Sequence, residues 1–204
     1  MKKIISFLAV LLFFTGCAKT VEYNKNLEVA GVNQSLVINS ALQKTYIFMD
    51  ALALKPQSIA SSTALGEDDL EINVGEFVQN ESLRFFKNYL SNLEVTSNKE
   101  VLSSPNLIIM PEIQSFSYGF YSSDGFDIDS KPFVSYALNV KIFKNGKQIY
   151  SKNISTNERN YGEKTFFGMG DTSYAQIGPI FQKAIANDYN ANATDIINSI
   201  NSAK

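Results

Sequence analysis

The stretch Phe133-Val134-Ser135-Tyr136-Ala137-Leu138-Asn139-Val140-Lys141-Ile142-Phe143-Lys144-Asn145-Gly146 decides how the chain folds. Val134, Tyr136, Leu138, Val140 and Ile142 alternate strictly with their neighbours, the period-two pattern of a strand with one buried face. Asn145-Gly146 follows directly. Both central positions of a type I′ turn need positive φ, so this dipeptide predicts a hairpin and a return strand from Gln148 to about Asn160. The outer part of that return strand is polar (Ser151, Asn153, Ser155), which suits a position near a sheet edge.

Working outward, Leu107 to about Phe120 reads as a long strand. Leu107, Ile109 and Ile113 share one parity, whereas Phe116, Tyr118 and Phe120 share the other. The switch predicts a bulge near Pro111, a residue that also lacks the ladder donor. Thr45 to Met49 reads as a buried strand running into Ala51-Leu54 before Pro56 stops it. Val74 to Leu93 is predicted to be helical, with Asn73 as N-cap and Glu76 three residues on completing a capping-box-like pair. Phe86, Tyr89, Leu90 and Leu93 fall on one face of that helix, and Val78 and Phe85 extend it. A last helix is predicted from Pro179 to Ile200, with Phe181, Ala184, Ile185, Tyr189, Ile196 and Ile200 as its apolar stripe. The order strand, helix, three strands, helix predicts an α+β fold: a two-layer sandwich, mainly antiparallel, with two helices packed on one face.

Three loops carry what chemistry there is. Gln57 to Glu71 holds Glu67, Asp68, Asp69 and Glu71 without the spacing of a calcium loop, and reads as solvated. Tyr121 to Lys131 holds Asp124, Asp127 and Asp129, which lack the following glycine and terminal glutamate of an EF-hand. Gly162 to Ser173 places Phe166, Phe167 and Met169 beside glycines. Loop aromatics of that kind suit a partner surface, and equally suit a cap folded back on the core.

The N-terminus supplies the most specific signal. Lys2-Lys3 is followed by an almost unbroken apolar run from Ile4 to Phe14, about the length of a signal-peptide core and too short to span a bilayer. It ends in Thr15-Gly16-Cys17, which resembles the bacterial lipobox, with Phe14 where leucine is commonest. The resemblance implies cleavage between Gly16 and Cys17 and lipid on the Cys17 thiol. Cys17 is the only cysteine, so no disulfide can form within the chain. The domain organisation expected is a signal peptide over 1–16, a lipidated N-terminus and flexible tether over 17–34, and a single α+β domain over 35–204. Cleavage leaves 188 of the 204 residues, enough for one domain with a real core.

Composition narrows the function classes. Hydrophobic residues make up 45% and aromatics 12% of the chain, as in a folded globular protein. The mature part carries 16 basic against 20 acidic residues and no basic cluster, which speaks against nucleic acid as a partner. There is no histidine, which removes Ser-His and Cys-His nucleophile pairs and most zinc sites. No nucleophile elbow, Walker loop or dinucleotide fingerprint occurs, and the acids sit in polar loops. The expectation is no enzyme and no cofactor, with a carboxylate hydrolase as the form catalysis would have to take.

Glu81 to Leu93, Leu107 to Tyr118, Ser135 to Tyr161 and Ile180 to Ile200, together with the lipobox, make an arrangement that resembles the YajG-type lipoproteins. It is also similar to the auxiliary lipoproteins of ABC-type transport systems. The resemblance implies a non-enzymatic accessory component of the envelope, on the periplasmic side of the outer membrane, binding an envelope protein or a lipid. Ala18, in place of the aspartate that retains lipoproteins at the inner membrane, implies outer-membrane sorting. The competing expectation is a surface-exposed lipoprotein with an adhesive or antigenic role. Phe166, Phe167 and Met169 are the candidate partner contact.

Overall fold

The computed structural model describes residues 18–39, 44–66, 68–122, 129–166 and 171–202. In chain order its strands are β1 (Lys19–Val21), β2 (Thr45–Phe48), β3 (Gln57–Ile59), β4 (Leu70–Ile72), β5 (Leu93–Thr96), β6 (Leu107–Tyr121), β7 (Asp129–Lys144), β8 (Lys147–Tyr161) and β9 (Thr165–Phe166). The helices are α1 (Val74–Phe86), α2 (Asp171–Tyr174), α3 (Ile177–Ala191) and α4 (Ala193–Ser202), with a short 3₁₀ turn at Lys99–Ser103.

The hairpin is built as the sequence dictates. Val134, Tyr136, Leu138, Val140 and Ile142 on β7 are all fully buried. Asn145 and Gly146 adopt φ of 52° and 72°, the pair of positive values that turns β7 into β8. The main sheet runs β5-β2-β6-β7-β8, with β9 added beside the start of β7. β8 is an edge strand and takes three register shifts against β7, bulges that blunt an exposed edge.

The α+β class holds, and the sheet is mixed. β6, β7 and β8 are antiparallel, whereas β2 lies parallel to both β5 and β6. Helix α1 carries the chain back across the sheet between β2 and β5, the crossover that parallel neighbours need. Helices α1, α3 and α4 form the second layer. At its centre the ring of Phe181 meets Phe77, Phe116 and Tyr136 at centroid distances of 5.4, 4.8 and 5.0 Å.

Several elements differ from the sequence reading, each for a local reason. Helix α1 ends at Phe86 rather than Leu93, because the Asn88 side-chain amide donates to the carbonyls of Arg84 and Phe85 and closes the last turn. Tyr89 and Leu90 stay buried beyond it, and Leu93 opens β5. The cap itself is as expected: the Asn73 Oδ1 accepts the Glu76 N–H at 3.0 Å. The β6 bulge falls between Ile113 and Ser115, not at Pro111, which keeps register opposite Val140. Pro111 lies past Ile109, the last β6 residue paired with β2.

The final helix is broken into α3 and α4 at Asn192, whose side-chain amide turns back onto the Asp188 carbonyl at 2.8 Å. The Gln57–Glu71 loop contains β3 and most of β4. They pair with each other antiparallel, and β4 pairs on its other side with β1 in parallel, making a small second sheet in the order β1-β4-β3 that buries Leu70 and Ile72.

The largest departure concerns the segment expected to be a flexible tether over 17–34. From Lys19 onward it is fixed to the domain. β1 pairs with β4, and Val21, Tyr23 and Val32 pack against the core. Short polar stretches carry no period strong enough to signal this, and the partners come from residues far along the chain.

Candidate functional site

After β1 the chain runs as a strap over the helical layer, crossing from α1 to α3 and on to α4. Side-chain amides hold it. Gln182 Nε2 donates to the Asn24 carbonyl at 3.0 Å while its Oε1 accepts the Asn24 N–H at 2.9 Å. Asn190 Nδ2 donates to the Ala30 carbonyl at 3.2 Å, and Asn201 both donates to the Val37 carbonyl and accepts the Asn39 N–H. From α1, Arg84 Nη2 donates to the Leu27 carbonyl at 2.8 Å, and just past the end of α1 the Tyr89 hydroxyl donates to the Asn33 carbonyl at 3.1 Å. A strap with no ladder of its own thus has backbone groups of Asn24, Leu27, Ala30, Asn33, Val37 and Asn39 met by side chains of the helical layer.

Beneath the strap lies a buried carboxylate. Glu81 is 1% exposed. It accepts from the Tyr23 hydroxyl at 2.8 Å, from Gln182 Nε2 at 3.3 Å and from Arg84 Nη1 at 3.4 Å. Burial, and then the Glu81 charge, push the Tyr23 phenol well above its ordinary value, so it stays a donor. A cavity of about 400 Å³ opens between the strap residues Glu28–Val32 and the helices, with Arg84, Phe85 and Asn190 among its walls. The Asn190 Oδ1 is buried without a hydrogen-bond partner.

The start of the strap forms a second rigid place. The Lys19 N–H donates to the Asp69 carbonyl at 2.9 Å. The Lys19 ammonium pairs with Asp171 at 2.6 Å and with Asp68 at 3.6 Å. The Asp171 side chain beside it raises the Lys19 pKa, and Lys19 in turn lowers that of Asp171. The hydroxyls of Tyr118 and Tyr174 both donate to the Asp68 carbonyl at 3.0 Å. Ser173 then links α2 to Thr165 of β9 at 2.6 Å.

The sequence-derived candidates fall unevenly on this frame. Gly16 and Cys17 lie outside the described residues, as do Phe167, Met169, Asp124, Asp127 and Glu67. The Phe166 backbone sits in β9 opposite Asp129 at the start of β7. Asp68 and Asp69 of the acidic loop are engaged with Lys19 and Ser58 respectively. Among the described residues no three acids or sulfur ligands come together as a metal would need, and no helix is long and apolar enough to cross a membrane. The Glu81 centre and the strap had no counterpart in the sequence reading. The nearest signal was the run of amides Gln182, Asn190 and Asn201 beside an apolar stripe.

Fold and clamp together define an α+β domain with its own N-terminal strap bound across the helical layer. No protein-family model matches the chain, and no curated protein matches it in sequence. Among solved structures, protein XCC0632 from Xanthomonas campestris, of family DUF330, matches with a TM-score of 0.54 at 10% identity, over 89% of this chain and 95% of that one. That likeness establishes the fold. A homologue of neuraminyllactose-binding hemagglutinin from Helicobacter pylori matches at TM-score 0.45 and 9% identity, over 87% of this chain and 99% of that one. The rare lipoprotein B of Shewanella oneidensis matches at 0.38 and 11%, over 76% and 98%.

Proposed function

We propose that the chain is a lipid-anchored, non-enzymatic accessory lipoprotein of the bacterial cell envelope, carried on the periplasmic side of the outer membrane, where it binds another envelope protein or a lipid. The observation that carries the reading is the segment Ile4 to Cys17: a charged start, a short apolar core and a lone cysteine behind two small residues. Ala18 supports outer-membrane sorting. The absence of histidine from the whole chain supports a binding role over a catalytic one. Phe166, Phe167 and Met169 are the proposed partner contact. Their case rests on sequence: aromatic and thioether side chains beside glycines suit a desolvated contact.

Mass spectrometry of the membrane-purified protein, with and without Cys17→Ala, tests the anchor. A mature N-terminus at Cys17 bearing lipid, lost in the variant, is expected. An unmodified chain, or one cut elsewhere, overturns the reading. Protease treatment of intact cells tests the side: a periplasmic domain is protected, and cleavage would move the domain to the cell surface. Phe166→Ala with Phe167→Ala is expected to weaken recovery of a crosslinked envelope partner at unchanged melting temperature. A lowered melting temperature with recovery intact removes the contact.

A further inference from the structure

Resting on the Cys17 anchor, we infer that the domain lies directly against its own membrane, with the corner formed by Lys19, Asp68, Asp69 and Asp171 as the face applied to the lipid headgroups. The argument is one of chain length. Cys17 is two residues before Lys19. Two residues span at most about 7 Å when fully extended. Lys19 is already immobilised: its N–H is bonded to Asp69, its ammonium is paired with Asp171 and Asp68, and its Cα is in register with the buried Leu70. The residues that would have served as slack, from Tyr23 to Asn39, are bound along the helices instead. No tether is left between the lipid and the fold.

The corner is braced well enough to orient the whole domain. Asp171 begins α2, Tyr174 of that helix bonds Asp68 through both its hydroxyl roles, and Ser173 holds Thr165, which pairs with Ser130 at the start of β7. From Ser130 the regular strand β7 runs to the Asn145-Gly146 turn, a span of about 45 Å at ordinary strand rise. The hairpin tip is therefore remote from the anchored corner. The partner that the corner fits is a lipid surface, met through its headgroups: the carboxylates of Asp68, Asp69 and Asp171 around Lys19 can accept from the ammonium of phosphatidylethanolamine.

The test uses the full-length lipidated protein in vesicles of phosphatidylethanolamine and phosphatidylglycerol that carry a nitroxide on a fraction of the headgroups. Thr172→Cys in α2 and Lys147→Cys at the hairpin tip are labelled separately with a maleimide fluorophore. Both positions are exposed. The native Cys17 thiol is consumed by lipid, so each variant labels at one place. Quenching several-fold stronger at position 172 than at 147 is expected. A third variant inserts a Gly-Ser linker of about ten residues between Ala18 and Lys19, giving about 17 Å of root-mean-square slack. It is expected to lose most of the difference. Equal quenching at both positions, with Cys17 lipid confirmed by mass, overturns the apposition while leaving the anchor intact. Strong quenching at 172 that survives the linker overturns the chain-length argument. A chain without lipid on Cys17 fails at the anchor itself and takes the apposition with it.

Discussion

Replacing Glu81 with alanine should loosen the strap before it loosens the sheet. The carboxylate is 1% exposed and accepts three hydrogen bonds, of which the 2.8 Å contact from the Tyr23 hydroxyl is the shortest. A hydrogen bond to a charged group contributes about 1.5–3 kcal/mol. The contacts from Gln182 and Arg84, at 3.3 and 3.4 Å, are longer and count for less. The Arg84 side chain is 34% exposed, so water takes up part of its charge once Glu81 is gone. The total comes to about 3–4 kcal/mol, within the range for breaking one partner out of a buried pair. At about 2–4 °C per kcal/mol for a chain of this size, the melting temperature should fall by roughly 6–16 °C. Hydrogen exchange should rise first at residues 23–33 and leave the β6–β7 ladder protected at low denaturant. Glu81→Gln, which keeps an acceptor oxygen for Tyr23, should lose about half as much. A loss below about 1 kcal/mol for the alanine variant, the scale of an exposed pair, would refute the clamp. So would an exchange pattern that rises evenly over strap and sheet.

Three further outcomes follow from the packing. Burial raises the Asp188 carboxyl above its ordinary value, with the charge of Glu158 adding to the rise and hydrogen bonds from Tyr136 and Ser155 opposing it. The folded state then holds the proton more tightly than the unfolded one, so this group's contribution falls as pH rises from the unfolded value near 3.8 through the raised folded one. Asp188→Asn should gain melting temperature relative to the native protein between pH 4 and pH 7, and a difference that does not change with pH would sink this assignment. A Cβ on Gly75 would stand 2.0 Å from the Ala53 carbonyl oxygen, so Gly75→Ala should destabilise by about 2–3 kcal/mol despite alanine's better helix propensity. A neutral result in denaturant titration would mean that the Ala53 turn moves freely. Phe181→Ala should cost about 3–5 kcal/mol, because the ring is fully buried among Phe77, Phe116 and Tyr136, and a loss under about 1 kcal/mol would place the core elsewhere.

What was legible in the sequence was whatever is written in a local period. Five alternating residues on β7 and the Asn145-Gly146 dipeptide gave strand, face and turn together, because each depends only on neighbours along the chain. The start of α1 was legible for the same reason: Asn73 caps its own third neighbour, whereas α3 starts at Ile177, two residues before Pro179, with no side-chain cap to announce it, and α2 lies in a stretch that reads as loop. Helix ends were not legible. The features that stop α1 and α3 are Asn88 and Asn192, each turning its amide back on a carbonyl. An asparagine on a helix surface looks the same in sequence whether it faces water or ends the helix.

The strap was hidden by a different physics, and that is why the reading of 17–34 failed while the reading of 133–161 held. β1 has three residues, too few to show a period, and its partner β4 lies about fifty residues on. Beyond β1 the strap adopts no repeating structure, so its backbone groups are met one at a time by Arg84, Tyr89, Gln182, Asn190 and Asn201. Arg84, Gln182, Asn190 and Asn201 are polar and lie beside an apolar stripe, where sequence reasoning assigns them to solvent, and Tyr89 reads as part of the stripe itself. The buried Glu81 carries the same lesson more sharply. A glutamate in a helix is normally exposed, and this one is tolerated under the strap because Tyr23, Gln182 and Arg84 supply the donors that water would have given. Two of those donors come from α1 and α3 and the third from the strap, so the charge is compensated only when all three segments are docked. The clamp therefore joins the N-terminal segment to the helical layer as one unit, and a polar segment just after Cys17 becomes part of the fold instead of a leash.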